Sequence, residues 1–283
     1  VRHREALRTW DPDGYVRAWA LRLLQATSAE ERARATARLL ELGGAGISLY
    51  NISAALLLAG DSATGGALAA VAVRAPHASF IRQAWANLGI SHERRGDLAT
   101  AALVARQGLL RYPADPNLYA ILVDALRRTG RHADAVAAVA RARPLLPDDD
   151  SREAEACLFD CVQALIQAGQ PGEAMALVDE ARSPRARSPR LHAAIALAKV
   201  HLGRLAQART SLARAEDSGE PARLHARALL CAREGDSDGA RAAAREAKAA
   251  GYTELGALER DLATAGLSAA GTRSRARGRG RSR

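Results

Sequence analysis

The residues able to carry chemistry are few and scattered. Cys157 and Cys161 stand four apart, one helical turn, but no CxxC motif or second ligand cluster accompanies them. That spacing reads as two small buried helix residues. The third cysteine, Cys231, leaves no disulfide framework, and this cysteine usage is that of a reduced, cytoplasmic chain. His92, His132, His192, His201 and His225 are spread along the sequence without HxxxH or HExxH spacing, so no zinc site is expected. His92 occupies a core-type position and reads as a packed histidine. No G-x-x-x-x-G-K-[ST] loop is present, nor a G-x-G-x-x-G turn, and Ser53 and Ser62 have no nucleophile-elbow context. The reading is a non-enzymatic chain with no cofactor and no metal.

Charge points the same way. The formal charge is +10, but Arg273, Arg275, Arg277, Arg279, Arg281 and Arg283 supply six of those charges; without them the chain carries only +4. Basicity is therefore largely a property of residues 271–283, a tail with no large apolar residue and hence an expected disordered extension. It could pair with phosphate or with acidic protein surface, but no aromatic is interleaved for base stacking. No run is long and apolar enough to suggest a membrane span.

The elements that must position any site are helices. Hydrophobic residues make up 48% of the chain but aromatics only 4%, so alanine and leucine carry the apolar content and helix formers dominate. Glycines at 60, 96, 130, 169, 203 and 235 recur at spacings of 36, 34, 39, 34 and 32. Each lies between two apolar-periodic segments, where a helix ends in a left-handed residue. Ala101, Ala135, Ala174, Ala208 and Ala240 each follow their glycine by five residues, where a small side chain lets two helices approach. The predicted hairpins pair 16–25 with 29–42, 47–59 with 66–74, 80–94 with 98–111, 117–128 with 133–143, 153–167 with 171–181, 191–202 with 205–215, and 221–234 with 239–249. A final helix follows over 252–265. The turn 60–66 of the second hairpin reads as longer than the others. Short features outside this pattern are a possible helix at 4–10, a Ser28–Glu31 capping box, an acidic run 148–150 that with Ser151 can cap the next helix, and a basic link over 183–189.

Within the period, Trp85, Leu88, Gly96, Ala101 and Pro113 are followed 34 residues later by Tyr119, Leu122, Gly130, Ala135 and Pro147, and Gly89 completes the Leu-Gly pair of the first copy. On these residues the chain resembles the tetratricopeptide-repeat family, most closely over 80–182. The resemblance implies an all-α fold, a right-handed α–α superhelix of about seven helical hairpins over 16–250. It would be preceded by an extension (1–15) and closed by a capping helix (251–270). It further implies a protein or peptide ligand held on the concave surface, lined by the first helix of each pair. Transferred position by position, that surface comprises Gln83, Asn87, Ile90, Glu93 and Arg94; Asn117, Ile121, Asp124, Arg127 and Arg128; and Phe159, Asp160, Gln163 and Gln167. Asn87 stands where some members hold a peptide backbone, whereas Ile121 and Asp124 replace the basic residues of a carboxylate clamp. Three alternatives stay open: a repeat region of a larger regulator, a partner presenting a peptide to a modifying enzyme, and a nucleic-acid-associated adaptor using the arginine tail.

Overall fold

The computed structural model describes residues 18–19, 21–23, 25–41, 46–74, 81–146, 151–181, 188–215, 222–252 and 254–267. The expected helix at 4–10, the acidic run 148–150, residues 183–187 of the basic link and the arginine tail lie outside them.

All regular structure among the described residues is helical. The chain forms two compact units, Val1–Ala142 and Arg143–Arg283. In the first, helical residues 18–19, 21–23 and 25 precede α1 (Ala29–Glu41), α2 (Gly46–Leu58), α3 (Ser62–Ala72), α4 (Ile81–Arg94), α5 (Leu98–Arg111), α6 (Pro116–Arg128) and α7 (His132–Ala142). The second opens on a 3-10 turn (Arg143–Leu145). It continues with α8 (Arg152–Gln167), α9 (Pro171–Glu180), α10 (Pro189–His201), α11 (Leu205–Arg214), α12 (Ala222–Arg233), α13 (Ser237–Ala249) and α14 (Leu255–Thr264). Within each unit a helix packs on its hairpin partner and on the first helix of the next hairpin: α2 on α3 and α4, α4 on α5 and α6, and, in the second unit, α10 on α11 and α12. That is a helical-hairpin repeat.

The hairpin turns follow from sequence. At Gly130 the backbone φ is 74°, a value that costs a Cβ-bearing residue strain. There the Arg131 N–H donates to the Leu126 carbonyl at 2.9 Å and the Gly130 N–H to Arg127 at 3.0 Å, closing the orphan carbonyls of α6. All six marker glycines have positive φ. At three of them aspartate follows at once and caps the next helix. Asp61 accepts from the Thr64 N–H at 3.1 Å, Asp97 from Thr100 at 3.2 Å and Asp236 from Gly239 at 2.8 Å.

This glycine–aspartate step corrects the second hairpin. Its turn is no longer than the others, because Asp61 starts α3 at Ser62 and Gly65 and Gly66 lie inside the helix. They read as breakers in sequence, but they are contact surfaces. A Cβ on Gly65 would lie 3.1 Å from the Ser53 carbonyl, and one on Gly66 would lie 2.9 Å from Ser91 Cβ and closer still to Ser91 Oγ. Gly65 holds the place that alanine takes five residues beyond the later markers; Ala101, Ala135, Ala174, Ala208 and Ala240 are all fully buried. Ser28 caps α1 as expected, accepting from the Glu31 N–H at 3.1 Å, while the Glu31 carboxylate accepts from the Thr27 N–H at 3.3 Å. Ser151 caps α8 through the Ala154 N–H at 3.0 Å. No described helix is long and apolar enough to cross a membrane.

The second unit ends in a polar lock. His225 is 2% exposed; its Nε2 lies 2.8 Å from Asp261 Oδ2 on α14, and its Nδ1 lies 2.9 Å from the Tyr252 hydroxyl. His201 Nε2 lies 3.3 Å from the same Asp261 oxygen. Burial pushes the Asp261 carboxyl up, but hydrogen bonding and charge from His201 and His225 outweigh it and hold the group well below the usual aspartate range. A depressed carboxyl contributes stability that is complete above its unfolded value, near pH 4, and is lost as pH falls through its folded value. Asp261→Asn is therefore expected to cost about 2 kcal/mol at pH 7, with the difference from wild type shrinking below about pH 4. Urea melts across that range check it, and a pH-independent difference would reject the lock.

Candidate functional site

The first-helix face divides into open and closed positions. Gln83, Asn87, Ile90, Glu93, Asn117, Arg128, Asp160 and Gln167 are half-buried and Arg94 is exposed. Ile121, Asp124, Arg127, Phe159 and Gln163 are buried instead, between 2% and 7% exposed. The cause is the stacking itself: α6 is covered by α4, α5 and α7 and buries ten of its thirteen residues. Ile121 packs over Gly89, where an added Cβ would lie 3.1 Å from it.

Several open residues are committed within the array. The Asn87 side-chain amide donates to the Tyr50 carbonyl at 3.0 Å, so the residue expected to hold a ligand backbone holds the preceding repeat. Arg94 donates to the Leu57 carbonyl, and Gln167 donates to Glu254. In the second unit the Arg190 guanidinium lies 4.2 Å over the Phe159 ring.

Four residues of the expected surface do converge, across α4 and α6. Asp124 pairs through one oxygen with the buried Arg127 and through the other with Arg128 at 3.1 Å, while Arg128 lies 3.7 Å from Glu93. Burial raises the Glu93 carboxyl to about 7, and the negative charge of Asp124 and a hydrogen bond to it add to that, against the opposing pull of Arg128 and Arg127. A raised carboxyl contributes stability that is full below its unfolded value and lost as pH rises through its folded value, so Glu93 weakens the first unit between about pH 4.5 and 7. Glu93→Gln should remove that loss. The variant is expected to gain on the order of 2 kcal/mol over wild type at pH 8 and nothing at pH 4. Thermal melts at the two pH values check it; a gain of the same size at both would contradict the assignment.

Among the described residues, one unfilled apolar surface is built by second helices. A groove of about 600 Å³ runs between α5 and α7. One wall is Leu103, Arg106, Gln107 and Leu110 with Leu109; the other is Asp134, Ala137, Ala138 and Arg141; Tyr119, Leu122 and Leu126 form the floor. Leu103 is 55% exposed and Leu110 86%, although both are large apolar residues on a helix whose packed face is already filled by Ala101, Val104, Ala105 and Gly108. The sequence held a signal for this. Apolar residues on α5 occur on more than one face, and leucines seven apart share a stripe. The repeat motif points instead to the first helices, and it assigns Tyr119 and Leu122 to packing alone.

His92 is hydrogen-bonded as expected, with Nδ1 3.0 Å from Asp97 Oδ2, but it is half-buried rather than in the core, while Cys157 and Cys161 are fully buried with sulfurs 3.9 Å apart. The meeting of His201, His225 and Asp261 is invisible in sequence, because 24 and then 36 residues separate them. Among the described residues no group of three or more His, Cys, Asp or Glu is arranged to hold a metal ion.

No family model matches the chain, and no curated protein matches its sequence. Among solved structures it is similar to a tetratricopeptide repeat protein from Parabacteroides merdae, at 15% identity over 78% of this chain and 99% of that one, with a TM-score of 0.47. A MamA structure from MSR-1 is similar at 16% identity over 61% and 95% of the two chains, with a TM-score of 0.42. A MamA mutant is similar at 18% identity over 61% and 96%, also with a TM-score of 0.42. These are distant, partial similarities of helix arrangement.

Proposed function

We propose that the chain is a non-enzymatic helical-repeat scaffold that binds a peptide segment of a partner protein. The observation that carries this reading is the α5–α7 groove, where Leu103 and Leu110 stand in solvent beside an apolar floor. Covering a leucine removes apolar surface from water and is worth about 2 kcal/mol per side chain. Both leucines contribute little to the packed interior, so two large apolar side chains exposed together on a second helix have a natural use in binding. The open part of the first-helix set, Gln83, Ile90 and Asn117, is a second contact surface in the same reading.

The test is selection of sixteen-residue peptides from a displayed random library on the immobilised full chain, followed by affinity measurement on the double variant Leu103→Asn, Leu110→Asn. The variant is expected to keep its thermal midpoint, because exposed substitutions stay within about 0.5 kcal/mol. It should bind the selected peptides at least about 30-fold more weakly, the equivalent of one lost leucine contact. Selected peptides that bind wild type and variant equally would overturn the site.

A further inference from the structure

We propose that the α5–α7 groove takes a short acidic amphipathic helix, an inference that rests on the peptide-binding reading and names its ligand. Each wall is a single helical stripe. Leu103, Arg106, Gln107 and Leu110 follow the spacing i, i+3, i+4, i+7 on α5, and Asp134, Ala137, Ala138 and Arg141 repeat it on α7. Seven residues of helix rise about 10 Å, so the groove spans two helical turns of a ligand lying along it.

A helix suits it better than an extended strand. The walls are helices, which offer no free backbone edge, and Gln107 is the single side-chain amide among the lining residues. An extended segment would enter with unpaired N–H and C=O groups, whereas a helix satisfies its own and offers apolar side chains one turn apart.

The rim sets the sign of the ligand. Arg106 stands on one wall and Arg141 on the other, both exposed, and neither makes a hydrogen bond or ion pair with any described residue. The one acid of the lining, Asp134, is already paired with Arg131 at 2.8 Å. The groove therefore presents two unsatisfied positive charges flanking an apolar strip, complementary to leucine or aromatic residues flanked by Asp and Glu. The chain's own arginine tail is excluded by like charge. A second copy docking groove to groove would bring both arginine pairs together.

The library selection above, repeated on Arg106→Glu, Arg141→Glu, separates this inference from the reading beneath it. Peptides from wild type should be net acidic with apolar residues three or four apart, and should bind the charge-reversed variant about 30-fold more weakly. Selection on that variant should return basic peptides. Leucine-dependent peptides with no acidic bias, or with affinities unchanged by charge reversal, would overturn the acidic ligand and leave the scaffold reading standing. Binding indifferent to the leucines would overturn both. Self-association by sedimentation that disappears in Leu103→Asn, Leu110→Asn would mark a second copy as the occupant and overturn the proposal.

Discussion

Asp124→Ala is expected to cost the first unit about 3 to 5 kcal/mol, among the largest effects of any single side-chain deletion in the chain. Asp124 is 7% exposed and pairs with an Arg127 that is 4% exposed. Removing the acid takes away the carboxylate nearest to a desolvated guanidinium, and Arg128 loses its 3.1 Å partner as well. Glu93 decides how the loss varies with pH. With Asp124 gone, neither its negative charge nor its hydrogen bond raises the Glu93 carboxyl, which then ionises more readily and takes over part of the pairing. The loss should therefore be smaller at pH 8 than at pH 5. Adding Glu93→Gln removes this substitute, so the double variant at pH 8 should lose more than the sum of the single changes. Additivity within about 0.5 kcal/mol would show that the two carboxyl groups act independently.

Gly66→Ala is expected to destabilise the first unit by about 2 kcal/mol, with a sign opposite to that of intrinsic helix propensity. In an open helix, replacing glycine by alanine gains up to about 1 kcal/mol. Gly66 on α3 faces Ser91 on α4, and the added carbon would lie 2.9 Å from Ser91 Cβ, inside any real contact distance. Ser91 cannot swing away freely: it is fully buried and its hydroxyl donates to the Ser62 carbonyl at 2.8 Å. Ser91→Gly should relieve the clash, so the pair is less destabilised than the sum of the singles. Gly172→Ala is the control, since a Cβ there meets nothing within 4 Å near the start of α9. It should be neutral or stabilising. Equal losses at positions 66 and 172 in chemical denaturation would refute close helix approach as the role of Gly66.

Much of the hairpin order is legible in the sequence, and these residues show why. The marker glycines and the alanines five residues later are local signals, set by one turn and one close approach, and the helices pair as those signals indicate. Gly65 and Gly66 mislead because the same residue type both ends helices and lets helices touch; Asp61, which caps α3, is the discriminating residue. On the first-helix face, position in a repeat indicates which residues face neighbouring helices but not how completely those neighbours cover them. Ile121 and Gln163 are expected to be open on that basis and are buried. The His201–His225–Asp261 cluster and the α5–α7 groove depend on residues brought together from separate helices; the leucine stripe of α5 is legible by itself, but the facing wall and the floor come from other stretches.

The most direct measurement is photo-crosslinking of a library-selected peptide, carrying a benzophenone at one end, to the full chain, with adducts mapped by mass spectrometry. A scaffold that binds through its second helices gives adducts within 103–110 and 134–141. Adducts confined to the first-helix segments 83–94 and 159–167 would contradict that site.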